Sequence, residues 1–365
     1  MNGDARAGVL SILHGDVPTP AFMPVGTRAT VRGLDSDDLA ACGADMLLAN
    51  TYHLMLRPGE KVVKGLGKLH KFAAWDRPIL TDSGGFQMFS LASEVTEDGV
   101  AFRSSYDGTP VMLTPERAMS VQEDLGADVA MVLDVLVGLP ASREDIAAAV
   151  ERTLRWSERA LAAKRNEDQA LFGIVQGGVD PALRQLSARG TANLGVAGFG
   201  IGGLSVGETP NERNIALEAA FAELPVNKVR YVMGLGDTEG LLDAIERGAD
   251  LFDCVLPTRL ARHGKVLSRG GDYSVKRSEW ISEDAPLMEG CECYACRTYC
   301  VGYIRHMFNT REFLGQRLTT LHNLTYTLTL VADAREAILA DRFSAFAADV
   351  KQRRLGDFQQ NAGVN

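Results

Sequence analysis

The chain has 365 residues, 46% of them hydrophobic and 23% charged, with a formal net charge of -9. These are globular proportions with enough length for a large core, and six cysteines are too few for a disulfide scaffold at this size. No apolar run approaches the ~20 residues that cross a bilayer, and Met1 to Asp16 lacks a basic segment followed by an apolar one, so a cytoplasmic protein without a membrane partner is expected.

In chain order, eight short apolar runs read as strands: Ala21–Val25, Met46–Asn50, Pro78–Asp82, Val129–Asp134, Ala170–Gln176, Val196–Leu204, Lys228–Leu235 and Asp250–Leu256. Amphipathic stretches follow most of them. Thr114–Gly126 opens Thr-Pro-Glu, a cap with proline at the first helical position, and closes on glycine. In Ser142–Lys164, Ile146, Val150, Leu154 and Leu161 recur at helical spacing behind Ser142 as N-cap. Asp237–Gly248 repeats the pattern. Eight alternating units with nearly continuous apolar strands predict a (β/α)8 barrel of the TIM type. A doubly wound open sheet is the alternative, weakened because no Gly-x-Gly-x-x-Gly follows the first strand. Asn50, Asp82, Asp134, Gln176 and Asp253 all sit towards the C-terminal ends of predicted strands, the end where a barrel gathers its active site.

Two insertions interrupt the alternation. Val100–Leu113, with Asp107-Gly108 between apolar flanks, reads as a β-hairpin. Beyond the eighth strand, Ala261–Asp284 is basic and leads into a cysteine cluster, and Val301–Val350 reads as helical. The expected organisation is a single domain over 1–365. Its barrel portion spans 1–260 with a hairpin insertion about 91–114, a basic segment and zinc-binding subdomain spans 261–325, and C-terminal helices span 326–365.

Cys291, Cys293 and Cys296 form Cys-x-Cys-x-x-Cys, and a tight cluster in a chain of this class points to metal. Three thiolates need a fourth ligand to close a tetrahedral structural site. Cys300 and His322 are the candidates, with a helix expected to start between Cys296 and Cys300. A closed site holds structure and leaves no open position for chemistry. Asp82 heads Asp-Ser-Gly-Gly-Phe-Gln, where glycines permit close backbone approach to a ligand and Phe86 offers a flat face to a planar ring. Capping a helix is its bland alternative. Asp253 interrupts an apolar strand, and a buried carboxylate there needs a reason. Together the two aspartates suggest carboxylate chemistry at a sugar carbon, one as nucleophile and one as acid/base. Arg259, Arg262, Lys265, Arg269, Lys276 and Arg277 make a basic run opposed only by Asp272. Charge alone reads it as a solvated loop.

The strings Phe22-Met-Pro-Val-Gly-Thr27, Leu80-Thr-Asp-Ser-Gly-Gly-Phe-Gln87, Gly202-Gly-Leu-Ser-Val-Gly-Glu208, Met233-Gly-Leu-Gly236 and Phe252-Asp-Cys-Val-Leu-Pro-Thr-Arg259, with the Cys291/Cys293/Cys296…His322 set, resemble bacterial tRNA-guanine transglycosylases through nearly the whole chain. The resemblance implies a (β/α)8 barrel with an inserted zinc subdomain, one structural Zn2+ per chain on Cys291, Cys293, Cys296 and His322, and a homodimer. It implies replacement of guanine at the wobble position of GUN-anticodon tRNA by a free 7-deazaguanine base, in queuosine biosynthesis. Asp253 would attack C1′ of the ribose to give a covalent ribosyl-enzyme. Asp82 would protonate the departing base. The base site would comprise Asp82, Ser83, Gly84, Gly85, Phe86, Asp134, Gln176, Gly203, Leu204 and Met233. Asp134, Gln176 and the Gly203 amide would read the base edge, the Leu204 carbonyl would receive an aminomethyl group, and Phe86 and Met233 would sandwich the ring. RNA would be met by Gly234, Leu235, Gly236, Asp237, Thr238, Glu239, Gly240, Thr258, Arg259, Leu260, Ala261 and Arg262.

One departure bears on the incoming base. Bacterial relatives commonly continue from the Asp134 position with Glu-Cys, whereas this chain has Val135-Leu136. Valine there is similar to the eukaryotic queuine-inserting enzyme, while Val206 keeps the bacterial pattern. An archaeal-type or DNA-modifying transglycosylase is an alternative, the former disfavoured because no added RNA-binding domain follows the zinc region. A non-catalytic tRNA-binding partner subunit is the other, disfavoured because both aspartates are present.

Overall fold

All eight apolar runs become strands of one closed parallel barrel, in chain order around the ring. The computed structural model describes residues 3–85 and 94–361, with side-chain surroundings through 355. The barrel strands are β1 Ala21–Gly26, β2 Leu47–Ala49, β3 Ile79–Thr81, β4 Val129–Met131, β5 Ala170–Val175, β6 Gly198–Ile201, β7 Val229–Val232 and β8 Leu251–Cys254. Closure comes from β8 pairing with β1, with Asp253 opposite Met23. Several strands are shorter than their apolar runs because the polar residues at their ends leave the ladder. Asn50, for example, becomes the N-cap of the helix Thr51–Leu56.

The helices follow local chemistry closely. Thr114 caps Pro115–Leu125 by accepting from Arg117 N, and Gly126 ends that helix with φ +74°. Ser142 caps Arg143–Ala163 and Asp237 caps Thr238–Glu246, each side chain accepting an otherwise orphaned N–H.

A period of two along the strands decides what enters the barrel. Phe172, Ile174 and Gln176 point inward along β5 and past its end, as do Tyr231 and Met233 from β7, and Leu251 and Asp253 from β8. On β6 the inward positions are Gly198, Gly200 and Gly202, and the space they leave is used. A Cβ on Gly198 would strike the Phe172 ring, and one on Gly202 would lie 2.7 Å from Gln176 Nε2. The lower barrel is therefore packed with apolar side chains, and its last inward layer is polar.

An N-terminal hairpin, Gly8–Ile12 with Gly15–Thr19, was not evident from the sequence. Its Leu10, Ile12 and Val17 join the barrel-core cluster. Asp128, just before β4, anchors it through His14 N at 3.2 Å and the His14 ring, and also accepts from Ile79 N at 2.7 Å. The hairpin thus closes the end of the barrel opposite the strand C-termini. The expected insertion is present as Val100–Arg103 paired with Pro110–Leu113, joined by a further strand, Glu94–Val95. Residues 91–93, at the expected start of that insertion, lie outside the described residues.

After β8 come the helix Leu256–Arg262, a small hairpin of Lys265–Val266 with Tyr273–Ser274, and the helices Tyr294–Thr298, Val301–Asn309, Phe313–Leu339 and Phe343–Asn361. The expected helix start between Cys296 and Cys300 is corrected here. Cys293 caps Tyr294–Thr298, which runs through Cys296, and Cys300 caps the next helix. Among the described residues no helix is long and apolar enough to cross a membrane.

Candidate active site and metal centre

The polar layer at the barrel's C-terminal mouth brings together residues far apart in the chain. Asp253 lies near the end of β8, and its Oδ1 accepts from Tyr231 OH at 2.6 Å and Gly234 N at 2.9 Å. Both of these donors fall on Oδ1. Burial raises the Asp253 pKa, and the two hydrogen bonds oppose that shift. Tyr231 was not singled out in the sequence, because a tyrosine in an apolar strand has no pattern that marks it as a partner.

Asp82, at the end of β3, is buried. Its Oδ1 accepts from Thr51 N at 2.8 Å, and its other oxygen from Asn50 Nδ2. It therefore meets the first turn of a helix belonging to the preceding β/α unit. Ser83, Gly84 and Gly85 continue into the site, all buried. Glycine is required at 85, since a Cβ there would sit 2.8 Å from Asp134 Oδ1. Phe86 lies outside the described residues.

Asp134 receives Gln176 Nε2 at 2.6 Å and Ser83 Oγ at 3.4 Å. Burial drives its pKa up to about 6, against the pull of those two donors, and the negative charge of Asp82 adds to the rise. Beside this pair, Gly203 adopts φ +64°, and its absent Cβ is the space that Gln176 Oε1 fills. Leu204 is buried, and the turn after it is held by Glu208, whose carboxylate accepts from Val206 N at 3.0 Å. Met233 lies half-buried above the lumen. The barrel mouth thus brings a carboxylate and a side-chain amide together beside the Gly203 backbone.

The segments expected to meet RNA divide by exposure. Gly234, Glu239 and Arg259 are exposed, Asp237, Leu260 and Arg262 are half-buried, and Leu235, Gly236, Thr238, Gly240, Thr258 and Ala261 are buried. The buried ones shape the backbone: Asp237 caps its helix on Gly240 N at 2.7 Å, and Thr238 meets Tyr326 OH at 3.2 Å. Arg262 is held below the ordinary arginine value by burial and by the charges of Arg32 and Arg259. Arg32 was missed because it lies on the loop after β1, over two hundred positions upstream. Three guanidiniums gathered on and near the helix that follows Asp253 favour an anionic partner.

In the metal centre, Sγ of Cys291, Cys293 and Cys296 lies 3.6, 3.8 and 3.3 Å from His322 Nδ1. A tetrahedral zinc with bonds of about 2.3 Å to sulfur and 2.0–2.1 Å to nitrogen requires S···N edges of about 3.6 Å. His322 is fully buried, and its Nε2–H donates to Leu267 O at 2.9 Å, which turns the Nδ1 lone pair towards the sulfurs. Cys300 stands apart, its Sγ accepting from Tyr303 N at 3.4 Å, and His322 completes the cluster. The next residue, Asn323, donates to Pro257 O and Lys265 O, each at 3.0 Å. The helix that carries His322 is thereby tied to the helix following Asp253.

Fold and site define a class: a (β/α)8-barrel enzyme with carboxylates at its C-terminal mouth and a Cys3His cluster built onto the last β/α unit. The family model described as queuine tRNA-ribosyltransferase matches residues 2–355, and the chain belongs to that family. Proteins named queuine tRNA-ribosyltransferase from Moorella thermoacetica, Listeria innocua and Thioalkalivibrio sulfidiphilus are similar to it throughout. They are respectively 50% identical over 351 residues, 48% over 345 and 46% over 355, covering 96%, 94% and 97% of this chain and 94%, 91% and 96% of theirs.

Proposed function

We propose that this chain uses Asp253 and Asp82 to exchange guanine at the wobble position of GUN-anticodon tRNA for a free 7-deazaguanine base. Family membership makes it a pentosyltransferase acting in tRNA guanine exchange for queuosine biosynthesis. What carries the assignment of roles is the Asp253 carboxylate, pinned through Oδ1 at the barrel mouth. Its other oxygen attacks C1′ as the C1′–N9 bond breaks and the bonding pair leaves with guanine. Asp82 supplies the proton that the departing base takes up. The incoming base then gives a proton to Asp82 and attacks C1′, releasing the Asp253 ester. Asp134 accepts from N1–H and the exocyclic amine, while Gln176 and the Gly203 amide donate to O6. Arg32, Arg259 and Arg262 meet the flanking phosphates. A structural Zn2+ on Cys291, Cys293, Cys296 and His322 holds the subdomain that positions this arginine group. The reading includes a homodimer in the cytoplasm, where its tRNA is found.

The test is displacement of labelled guanine from anticodon stem-loops, each candidate base supplied in turn. Exchange confined to GUN loops is expected, and exchange on DNA or on the tRNA body instead would overturn the assignment. The incoming base is expected to be 7-aminomethyl-7-deazaguanine. Val135 packs on the helix side of the barrel, with its N–H on Thr153 Oγ1 at 3.0 Å. Leu136 adds no hydrogen-bonding group, and Val206, in the turn held by Glu208, then sets the room available. A branched side chain against the bulky cyclopentenediol of queuine costs ~1–3 kcal/mol, roughly tenfold to a hundredfold in selectivity. Val206→Gly should therefore raise kcat/KM for queuine relative to the aminomethyl base. A wild-type preference for queuine of about tenfold would reverse the choice.

The raised pKa of Asp134 gives a pH dependence. Its ionised form is the one that accepts from the base, so base affinity is full above pH about 6 and lost as pH falls below it. KM for free guanine should rise by about tenfold per pH unit on the acid side. In Asp134→Asn the acid-side break should vanish along with most of the affinity, and an unchanged break would assign it to another group.

A further inference from the structure

Arg184 is completely buried, on the helix Pro181–Asn193 behind the base site. Among the described residues no carboxylate forms an ion pair with it. Every hydrogen bond it makes among the described residues is to a backbone carbonyl: Nε to Gly178 O at 2.7 Å, Nη1 to Val175 O at 2.9 Å and Gly202 O at 2.7 Å, and Nη2 to Gly203 O at 3.2 Å. The Glu208 carboxylate acts on it only from a distance, weakly against the burial that pulls its pKa down. A cation removed from water whose hydrogen bonds go to neutral carbonyls is costly to retain, so its location asks for a reason.

The carbonyls it holds supply one. They belong to the last residue of β5 and to the loops that leave β5 and β6, which carry Gln176 and Gly203. In a trans peptide the C=O and the following N–H point in opposite directions. Drawing Gly202 O back towards Arg184 therefore aims the Gly203 N–H forward, to the side occupied by Gln176 and Asp134. Val175 O is shared between Arg184 and Gly202 N, the latter at 3.0 Å, which locks the two loops together. Gln176 N is held on Ser187 Oγ at 3.0 Å, one helical turn beyond Arg184. The rigid planar fork of a guanidinium spans these carbonyls, whereas an ammonium cannot reach them in one plane.

We propose that Arg184 is a positioning residue for base recognition: from behind the site it fixes the Gly202–Gly203 peptide so that the Gly203 amide donates to the O6 oxygen of the purine. The inference rests on the base-edge reading above. Arg184 does not touch the base, and its effect passes through a preorganised backbone donor that would otherwise have to be oriented on binding.

The test compares guanine with 6-thioguanine, which keeps N1–H and the exocyclic amine but replaces O6 with a poorer acceptor. The wild-type enzyme should prefer guanine. In Arg184→Lys and Arg184→Gln that preference should shrink by roughly tenfold, through KM for guanine, with kcat and the covalent RNA adduct much less affected. Arg184→Lys should recover less than its retained charge would suggest. Folding is checked by Tm and metal content. A folded variant with the wild-type guanine to 6-thioguanine ratio overturns the proposal. Failure of both variants to fold also overturns it, by making Arg184 purely structural. Asp134→Asn separates this from failure of the underlying reading: if that variant keeps wild-type KM for guanine, the base-edge assignment is wrong whatever Arg184 does.

Discussion

Asp253→Asn is expected to abolish guanine exchange, lowering kcat by ~10^4-fold or more, and to eliminate the covalent RNA adduct on denaturing gels. The substitution is nearly isosteric, so Tyr231 OH and Gly234 N can still be satisfied by the amide oxygen, and the fold should persist. What is lost is the second carboxylate oxygen. Its replacement by an amide nitrogen leaves nothing able to form an ester at C1′. Tyr231→Phe provides an internal control. It removes one of the two donors on Oδ1 without removing the nucleophile, so the adduct should still form, more slowly. Asp82→Asn should retain base binding and lose turnover, because its role is to move a proton. An adduct that survives in Asp253→Asn and disappears in Asp82→Asn would exchange the two assignments.

The second large effect is expected from the metal ligands. The purified protein should contain about one zinc per chain, lost in His322→Ala and kept in Cys300→Ala. Structural zinc contributes ~10 kcal/mol or more to the segments it closes, so its loss should unfold the region around Cys291–Thr298 and lower Tm. The consequence for function follows from Asn323, which joins the His322 helix to Pro257 and Lys265. Without that support the helix Leu256–Arg262 loses its backing, and Arg259 and Arg262 on it lose their placement. KM for tRNA should rise much more than KM for free guanine. Metal retained in His322→Ala but lost in Cys300→Ala would make Cys300 the fourth ligand. Equal losses for tRNA and base would mean that the whole barrel had failed.

Much of this was legible in the chain because it depends on local chemistry. The caps Thr114, Ser142 and Asp237, the stop at Gly126 and the eight apolar runs report short-range preferences, and these preferences act within a few residues. The same holds for the Cys-x-Cys-x-x-Cys spacing and for aspartates placed at strand ends. The N-terminal hairpin was not legible. It is a short, partly exposed pair whose reason for existing is Asp128, more than a hundred residues away. The bland reading of Asp82 as a helix cap proved partly apt, since it does receive Thr51 N, though on a helix that precedes it in the chain.

The sequence by itself determined a (β/α)8 barrel, the family, the carboxylate pair and the three thiolates, because period, caps and motif strings are properties of neighbouring residues. The tertiary structure alone decided which partners those groups have. It placed Tyr231 and Gly234 on one oxygen of Asp253, brought His322 to the three thiolates as the resemblance had implied, and set Arg32 beside Arg259 and Arg262. It also set Arg184 behind the Gly202–Gly203 peptide. Each of those contacts depends on closing the barrel, which brings the ends of distant strands to one mouth, and no short-range preference encodes that distance.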